Sequence, residues 1–437
     1  MDLAIQTGII LLIVFPILLL SGAPIAISIG ASSVLAILTA LPADVAVLTA
    51  SQRIFTGINS FSLLAIPFFV FAGIIMNRGG IALRLINFAK LTSGRLPGSL
   101  AHTNVVGNML FGSVSGSAVA AAAAIGGTMA PLQEAEGYDR DYSAAVNIAS
   151  APTGLLIPPS NSLIVYSLVS GGTSVGALFM AGYVPGILWG LSVMVVAYIL
   201  AKKYKYKVST EKITLKIATK ITVEALPSLL LILIIIGGIV AGIFTATEGA
   251  AVAVAYSLIL SLFFYKTIKI RELPALLLET VEMASIIVFL IGTSSIMSWV
   301  LAFTNIPTVI TEGLLGITSN PILILLLMNF ILLIVGTFMD LTPAILIFTP
   351  IFLPIAKDIG MDAVQFGIML VFNLCIGNIT PPVGSTLFVG CRVGKTKIES
   401  VVKYLLPFYG AIVIVLMLVT FIPQVSMLIP QIMGLVK

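Results

Sequence analysis

The sequence contains 437 residues, of which 59% are hydrophobic and 9% are charged. Soluble globular domains contain roughly 25% charged residues, so this composition excludes an ordinary soluble enzyme. The formal net charge of +5 has to be read loop by loop, because basic residues collect on one side of a membrane. The chain is therefore predicted to be an all-α polytopic protein of the lipid bilayer, with no nucleic-acid partner.

Eight continuous apolar stretches approach the ~20 residues needed to cross a bilayer and are predicted to be full spans. They are residues 4–20, 24–41, 61–77, 183–201, 226–244, 249–265, 281–303 and 404–429. Two further apolar regions, 142–170 and 363–391, each contain a Pro-Pro pair near the middle. Proline interrupts a helix because it lacks an N–H group. Both regions are therefore predicted to be discontinuous spans.

Another interrupted region precedes each discontinuous span. These regions are residues 98–132, with a break at 112–117, and residues 321–356, with a break at 336–343. Each half is predicted to contain about 12 to 16 residues, which is short for a full crossing. This length favours two re-entrant helical hairpins, which enter the membrane and return to the same side.

The basic residues test this arrangement, because Lys and Arg are enriched in cytoplasmic loops. If the amino terminus is external, 19 of the 22 basic residues lie on the cytoplasmic side, and only Arg53, Lys357 and Lys437 lie outside. The asymmetry holds only if both hairpins return to the side from which they start. The distribution therefore predicts two hairpins and two external termini.

The two halves of the sequence share short motifs at a nearly constant spacing. Residues 21–27 resemble residues 248–254, the hairpin tip at Gly112 matches Gly336, and Pro158 matches Pro381, with offsets of 227, 224 and 223 residues. The first half begins outside and the second inside, which predicts inverted-topology repeats at 1–201 and 226–437, joined by a cytoplasmic linker at 202–225. Secondary transporters built in this way bind substrate near the midplane, between discontinuous helices.

Unwound backbone inside a membrane needs a polar partner, because each unpaired peptide group costs several kcal/mol. Carbonyl groups freed by proline, together with neighbouring hydroxyl and amide oxygens, are neutral hard ligands that suit a small monovalent cation such as sodium. The N-termini of half-helices favour an anionic group. The sequence thus predicts sodium as a coupling ion for an anionic substrate. Close helix packing is the alternative explanation for the small residues at 112–117.

Asp340 is the only acidic residue predicted to lie deep in a membrane segment, and such carboxylates are functional candidates. Since Pro343 follows it, Asp340 could also cap the next helix. Three interpretations stay open: a cap alone, a cap that also binds a ligand, and a direct ligand. His102 is the only histidine, so no His-based metal cluster or catalytic triad is predicted. We expect no enzyme activity and no cofactor apart from the coupling ion.

Five motifs carry a family resemblance. They are GINSFSLLAIPFF at 57–69, GSVSGS at 112–117, LIPPS at 156–160, TEGAA at 247–251 and NITPPVG at 378–384. Together they resemble the large membrane subunit, of the DctM type, of a TRAP (tripartite ATP-independent periplasmic) transporter over essentially the whole chain. The resemblance implies a sodium-driven importer of organic acids, such as sialic acid or C4-dicarboxylates, in the bacterial inner membrane. It also implies two partners, a small four-helix membrane subunit and a periplasmic binding protein that delivers the substrate.

The resemblance further implies sodium sites between the hairpin tips and the discontinuous spans. The first set is Ser113, Ser115, Ser117, Thr153, Gly154 and Pro158, and the second set is Gly336, Thr337, Met339, Asp340, Gly377, Asn378 and Thr380. The candidates for contacting a substrate carboxylate are Ser115, Ser160 and Asn161.

The resemblance implies an elevator mechanism, in which residues 98–170 and 321–391 move together while the remaining spans stay fixed. The main alternative is a stand-alone carboxylate carrier or antiporter of the same architecture that needs no binding protein. A channel or a scaffold for a membrane complex would give no reason for two pairs of hairpins and broken spans.

Overall fold

The computed structural model describes residues 3–93, 97–206, 214–318 and 320–436, and these residues form helices and no strand. Some residues named in the sequence predictions lie outside the described ranges. They are Arg95, Lys207 and Lys212 of the predicted cytoplasmic set, residues 207–213 of the predicted linker, and Lys437 at the predicted external terminus.

The helices of the first half are α1 (Leu3–Leu20), α2 (Ile25–Ile37), α3 (Ala43–Ile58), α4 (Ala65–Arg78), α5 (Ile81–Ser93), α6 (Ser99–Ser115), α7 (Ala118–Ala135), α8 (Arg140–Ser150), α9 (Thr153–Leu156), α10 (Asn161–Val169) and α11 (Val175–Lys203). The helices of the second half are α12 (Leu215–Val240), α13 (Ala246–Ile259), α14 (Leu273–Phe303), α15 (Ile306–Ile317), α16 (Pro321–Phe338), α17 (Leu341–Asp358), α18 (Ala363–Gly377), α19 (Ser385–Gly394), α20 (Ile398–Phe421) and α21 (Gln424–Ile432). Short 3₁₀ helices cover Phe61–Leu64 and Ile270–Glu272, and a π-helix covers Leu260–Phe264.

Most predicted spans coincide with long helices. Within the described ranges, nine helical segments are long and apolar enough to cross a membrane. The predicted span 24–41 is an exception, because α2 has 13 residues where a crossing needs ~20. Turns follow α2 at residues 38–40, and Pro42 prevents a further helical continuation, since the residue before a proline is disfavoured in the helical conformation. A separate helix, α3, therefore begins at Ala43.

Two consecutive helix pairs occupy the predicted hairpin regions. Gly116 and Ser117 alone separate α6 from α7, and Met339 and Asp340 alone separate α16 from α17. These helices have 17 or 18 residues, so the predicted halves were too short, because each helix continues to a two-residue tip. An 18-residue helix is ~27 Å long, which does not exclude a full crossing. The re-entrant path therefore stays a prediction from the basic residues.

Both discontinuous spans are interrupted where the Pro-Pro pairs lie. The first consists of α8, α9 and α10, with an extended segment between Leu156 and Asn161, and the second consists of α18 and α19, separated by residues 378–384. The Pro158–Pro159 and Pro381–Pro382 peptide bonds are cis. A helix pair, a broken span and a long helix follow one another in α6–α11 and again in α16–α20. The order of these elements is thus the same in the two halves of the chain, and the inverted orientation of the halves stays a prediction.

The helices pack in two groups. The inner group contains α6–α11 and α16–α21, and the outer group contains α1–α4 and α12–α14. Within the inner group, α19 packs on α7 and α8, and α10 packs on α17 and α18, so the two repeats interlock. The two blocks predicted to move together, 98–170 and 321–391, do not include α11 and α20. Both helices nevertheless pack against the discontinuous spans: α11 contacts α9 and α18, and α20 contacts α8 and α18.

Trp189 shows how α11 is bound into the inner group. Its indole is fully buried, and its Nε1 atom donates a hydrogen bond to the carbonyl oxygen of Ala149 in α8 at 2.8 Å. Its ring centroid lies 4.6 Å from that of Phe372 in α18. A single side chain therefore joins α11 to the discontinuous spans of both repeats.

We expect Trp189→Ala to destabilise the protein by about 3–5 kcal/mol, because the substitution leaves a large cavity where three helices meet. Thermal unfolding of the purified protein in detergent measures this change. Trp299→Ala, at a half-buried position on α14, serves as the control and should lower the melting temperature less. Equal melting temperatures for the two variants would contradict the role of Trp189.

Candidate functional site

The first helix pair touches the first discontinuous span through two glycines. A Cβ atom placed on Gly154 would lie 2.1 Å from the carbonyl carbon of Gly112, and one placed on Gly112 would lie 2.9 Å from the Cα atom of Gly154. The two backbones are therefore in direct contact, which only glycine permits. We call this contact the first crossing.

The second helix pair meets the second discontinuous span in the same way. A Cβ atom on Gly377 would lie 2.2 Å from the carbonyl carbon of Gly336, and one on Gly336 would lie 3.3 Å from the Cα atom of Gly377. The backbone N–H of Val383 also donates to the carbonyl oxygen of Thr337 at 3.2 Å. We call this contact the second crossing. Each hairpin tip thus lies against the broken span of its own repeat.

Each crossing lies within one turn of the C-terminal ends of its helices. Gly112 is in the last turn of α6, and Gly336 and Gly377 are in the last turns of α16 and α18. The last carbonyl groups of a helix have no intrahelical partner and together carry a partial charge of about −0.5. Two such ends side by side favour a bound cation. The N-terminal ends of α7 and α17 follow directly after the two tips, and those of α10 and α19 follow after the two breaks. Such N-terminal ends favour an anion.

The candidate residues of the first sodium set surround the first crossing. The buried Ser113 hydroxyl donates to a carbonyl one turn earlier at 2.9 Å, and the buried Thr153 hydroxyl does the same at 2.6 Å. Ser117 caps α7 and accepts a backbone N–H bond at 3.2 Å. Pro158 is buried in the break after α9. Each hydroxyl oxygen keeps acceptor capacity while its proton is donated, so these groups are able to face a cation.

The candidate residues of the second sodium set lie around the second crossing. The hydroxyl groups of Thr337 and Thr380 each donate to a carbonyl three or four residues earlier at 2.7 Å. Met339 is buried and has an extended backbone at the tip. The backbone carbonyl of Asn378 accepts a bond from the N–H of Thr386 at 3.1 Å. That bond holds α19 against the end of α18.

Asp340 occupies the N-cap position of α17, but its side chain makes no capping hydrogen bond. The two interpretations that involve a cap are therefore wrong for this structure. The residue is exposed at the tip, beside the buried Met339 and Leu341. A direct role of the carboxylate as a ligand stays a prediction.

The three substrate candidates differ in their surroundings. Ser160 is fully buried, and its hydroxyl donates to the carbonyl oxygen of Leu155 and accepts from the N–H of Leu163 at 3.4 Å. Asn161 is half-buried and packs against the first tip, since a Cβ atom on Gly116 would lie 2.7 Å from its Nδ2 atom. Asn161 is therefore better placed than Ser160 to contact a bound anion.

Ser115, the third candidate, lies where the inner and outer groups meet. A Cβ atom on Gly73 of α4 would lie 3.1 Å from the carbonyl oxygen of Ser115. The Ser115 hydroxyl makes only long contacts, 3.5 Å to the carbonyl oxygen of Gly112 and 3.4 Å to that of Ser117. The first tip is thus covered by the outer group on one side.

Two buried asparagine clusters were not identified from the sequence. Asn108 of α6 donates to the side chains of Asn147 and Ser150 of α8 at 3.1 and 2.8 Å. Asn373 of α18 donates to the side chain of Asn329 of α16 at 2.8 Å. Each cluster lies one or two turns before a crossing and joins the same helix pair to the same discontinuous span. We call them the asparagine clasps. Isolated amide residues inside apolar helices are the sequence signal that could have revealed them.

Comparison with known proteins identifies the family. Residues 12–425 match the family described as "Tripartite ATP-independent periplasmic transporter, DctM component". The chain belongs to this family. It is therefore a multi-pass membrane protein of the transporter permease type and not an enzyme, which confirms the sequence prediction on both points.

Three relatives are similar over most of the chain. The isethionate TRAP transporter permease protein DctMQ of Oleidesulfovibrio alaskensis is 39% identical, over 94% of this chain and 65% of its own. The sialic acid TRAP transporter large permease protein SiaM of Vibrio cholerae is 38% identical, over 87% and 89%. The C4-dicarboxylate TRAP transporter large permease protein DctM of Pseudomonas aeruginosa is 39% identical, over 93% and 95%.

A solved structure has a similar fold. The crystal structure of the Alcanivorax borkumensis YdaH transporter, described as having an unusual topology, superposes with a TM-score of 0.61 over 88% of this chain and 90% of that one. The two sequences are 13% identical, so the similarity concerns the fold alone.

We expect Gly154→Ala and Gly377→Ala to destabilise the protein strongly, because the added Cβ atoms would lie 2.1 and 2.2 Å from backbone atoms that cannot rotate away. Gly336→Ala, with 3.3 Å available, should have a smaller effect. Thermal unfolding and gel filtration in detergent measure the series.

Gly127→Ala and Gly410→Ala are matched controls on α7 and α20, because nothing lies within 4 Å of a Cβ atom at either position. They should be neutral or slightly stabilising, since alanine is favoured over glycine in a helix by ~1 kcal/mol. If all the variants unfold at the same temperature, the backbone contacts at the crossings are wrong.

Proposed function

We propose that this chain is the transport subunit of a sodium-coupled symporter that imports organic acids. The observation that carries the proposal is the pair of crossings, at which the C-terminal ends of two helices meet and the N-terminal ends of two others begin. One arrangement thereby offers partial negative charge to a cation and partial positive charge to an anion. Coupled movement of both ligands requires such adjacent sites.

Sodium is the cation that these ligands suit best. The groups at both crossings are carbonyl and hydroxyl oxygens, which carry no formal charge and favour a hard monovalent ion. Within the described ranges, no group of three or more His, Cys, Asp or Glu side chains could hold a transition metal. We propose one sodium site at each crossing, with Asp340 as an additional ligand at the second.

The substrate is proposed to be a small carboxylate or a related organic anion. The names of the three relatives mention isethionate, sialic acid and C4-dicarboxylates, which are all anions. The N-terminal end of α10, with Asn161 beside the first tip, offers neutral donors to such a group. Neutral donors do not distinguish one of these acids from another.

Two partners complete the proposed transporter in the bacterial inner membrane. The family description includes the words tripartite and periplasmic, which supports a small membrane subunit and a periplasmic binding protein. This chain covers 65% of the isethionate relative, which leaves room in that relative for a second membrane subunit. The apolar side chains exposed on α1 and α14, such as Leu12, Ile17 and Ile286, offer surface to lipid and to the small subunit.

Transport is proposed to follow an elevator mechanism with the inner group as the moving body. Because α11, α20 and α21 pack against the discontinuous spans, they would travel with the two blocks predicted from the sequence. The amphipathic helix α5 packs on both α6 and α12, and α15 packs on α17, α1 and α14. These two helices, α5 and α15, are proposed to connect the moving group to the fixed group.

We expect Ser113→Ala and Thr337→Ala each to raise the sodium concentration for half-maximal uptake roughly tenfold, which corresponds to about 1.4 kcal/mol of lost cation binding. Uptake into proteoliposomes that contain both membrane subunits and the binding protein measures this shift. Thr128→Ala, which removes a similar hydroxyl bond on α7 at 3.1 Å, is the control and should not change sodium dependence. Unchanged sodium dependence in both test variants would refute the site assignment.

We expect a disulfide between Ser400→Cys and Asp141→Cys, whose side chains are 2.9 Å apart within the inner group, to spare uptake. A disulfide between Gly176→Cys of α11 and Ile239→Cys of α12, across the two groups, should stop uptake when oxidised and allow it again after reduction. A Cβ atom on Gly176 would lie 3.9 Å from the Cγ2 atom of Ile239. Full uptake by the oxidised second variant would exclude the elevator division.

Full uptake of free substrate without a binding protein would favour the stand-alone carrier.

A further inference from the structure

Two adjoining cavities lie between α7, α8 and α19, where the two repeats touch. The outer cavity has a volume of about 170 Å³, and its mouth is lined by Glu134, Arg140 and Lys395. The inner cavity has about 10 Å³, which is room for a single water molecule. Ser143 lines both cavities. The basic residues predict that the mouth faces the cytoplasm.

The inner cavity is surrounded by polar atoms that lack a protein partner. Among the described residues, the Nδ2 atom of Asn104, the Oε1 atom of Gln133, the Oγ atom of Ser143 and the nearby Oδ1 atom of Asn108 are buried and accept or donate no hydrogen bond. All four residues are at most 5% exposed. Buried polar side chains are almost always hydrogen-bonded, and a buried water commonly serves two to four of them. The inner cavity is therefore a site for water.

The polar atoms continue from this cavity to the first crossing. Asn147 lines the inner cavity and accepts a bond from Asn108, which also donates to the Ser150 hydroxyl. The Ser150 carbonyl oxygen in turn accepts the hydroxyl proton of Thr153 at 2.6 Å, next to Gly154. A row of hydrogen-bonded, buried polar groups thus leads from the inner cavity to Thr153, next to the first crossing.

We propose that the two cavities form a hydrated passage through which the cation leaves the first crossing for the cytoplasm, with the inner cavity as its closed gate. This inference rests on the proposed sodium coupling. The oxygens of Ser143, Gln133 and Asn147 replace part of the ion's hydration shell along the way. Arg140 is paired with Glu134 at the mouth, which reduces the repulsion that the guanidinium group exerts on a cation.

The gate is narrow because glycines bring the helices close together. A Cβ atom on Gly126 of α7 would lie 2.3 Å from the Nδ2 atom of Asn147, and one on Gly390 of α19 would lie 2.2 Å from a side-chain carbon of Ile148. A cavity that holds a single water molecule is too small for a sodium ion and the oxygens that coordinate it. The passage is therefore closed to sodium in this conformation. Since α19 belongs to the second repeat and α7 and α8 to the first, a small separation of the repeats opens the gate.

The first test is the access of a thiol reagent to Ser143→Cys. The two native cysteines, Cys375 and Cys391, are replaced by alanine in the background, and a small cationic methanethiosulfonate is applied to the cytoplasmic face of inside-out vesicles. Ser257→Cys is the matched control, because its hydroxyl is also buried without a partner but lines neither cavity. We expect Ser143→Cys to react at least ~10-fold faster, as thiol modification depends on access. Equal rates would overturn the proposal.

The second test measures sodium release by the same variant before and after modification. The modified protein, reconstituted with its partners, should release radioactive sodium into the cytoplasmic compartment several-fold more slowly. Its half-saturating external sodium concentration should stay the same. An unchanged release rate after complete modification would show that the passage carries no cation. Sodium-independent uptake by the unmodified protein would instead refute the proposed function, so the two failures are distinguishable.

Discussion

The structure depends on one constraint, which is that peptide groups inside a membrane must be bonded within the protein or to a ligand. Two Pro-Pro pairs break helices in the apolar part of the chain, so carbonyl groups at the ends of α9 and α18 need partners. The glycine contacts at the crossings bring the ends of α6 and α16 against these breaks, and the asparagine clasps hold α6 against α8 and α16 against α18. The helix ends at the two breaks are therefore brought together at the two crossings.

The same constraint explains why the inner group is interlocked. A broken span cannot face lipid, because its unpaired peptide groups would lie in hydrocarbon. Helices from both repeats therefore surround each broken span. α11 and α20 provide this enclosure, and Trp189 connects α11 to α8 and α18 through one hydrogen bond and one ring contact. In the outer group, Gly73 of α4 lies against the carbonyl oxygen of Ser115 at the first tip.

The proposed passage follows from the geometry of the interlocked repeats. α19 packs into the first repeat through Gly390 and Gly394, and this leaves a seam lined by Ser143, Gln133 and Asn104. The seam meets the first asparagine clasp, so the residues that fix α6 to α8 also form the inner wall of the passage.

The sequence by itself determined the membrane class, most of the spans and both breaks, because hydrophobic runs and proline pairs are local patterns. Within the family resemblance it also identified Gly154, Gly336 and Gly377, which the structure brings to the crossings. Tertiary structure alone decided the length of the hairpin helices and the absence of a capping hydrogen bond from Asp340 to α17. It also decided the place of α11 and α20 in the inner group and the asparagine clasps. These features depend on contacts between residues that are distant in the chain, in some cases by more than 200 positions. Local sequence patterns do not reveal such contacts.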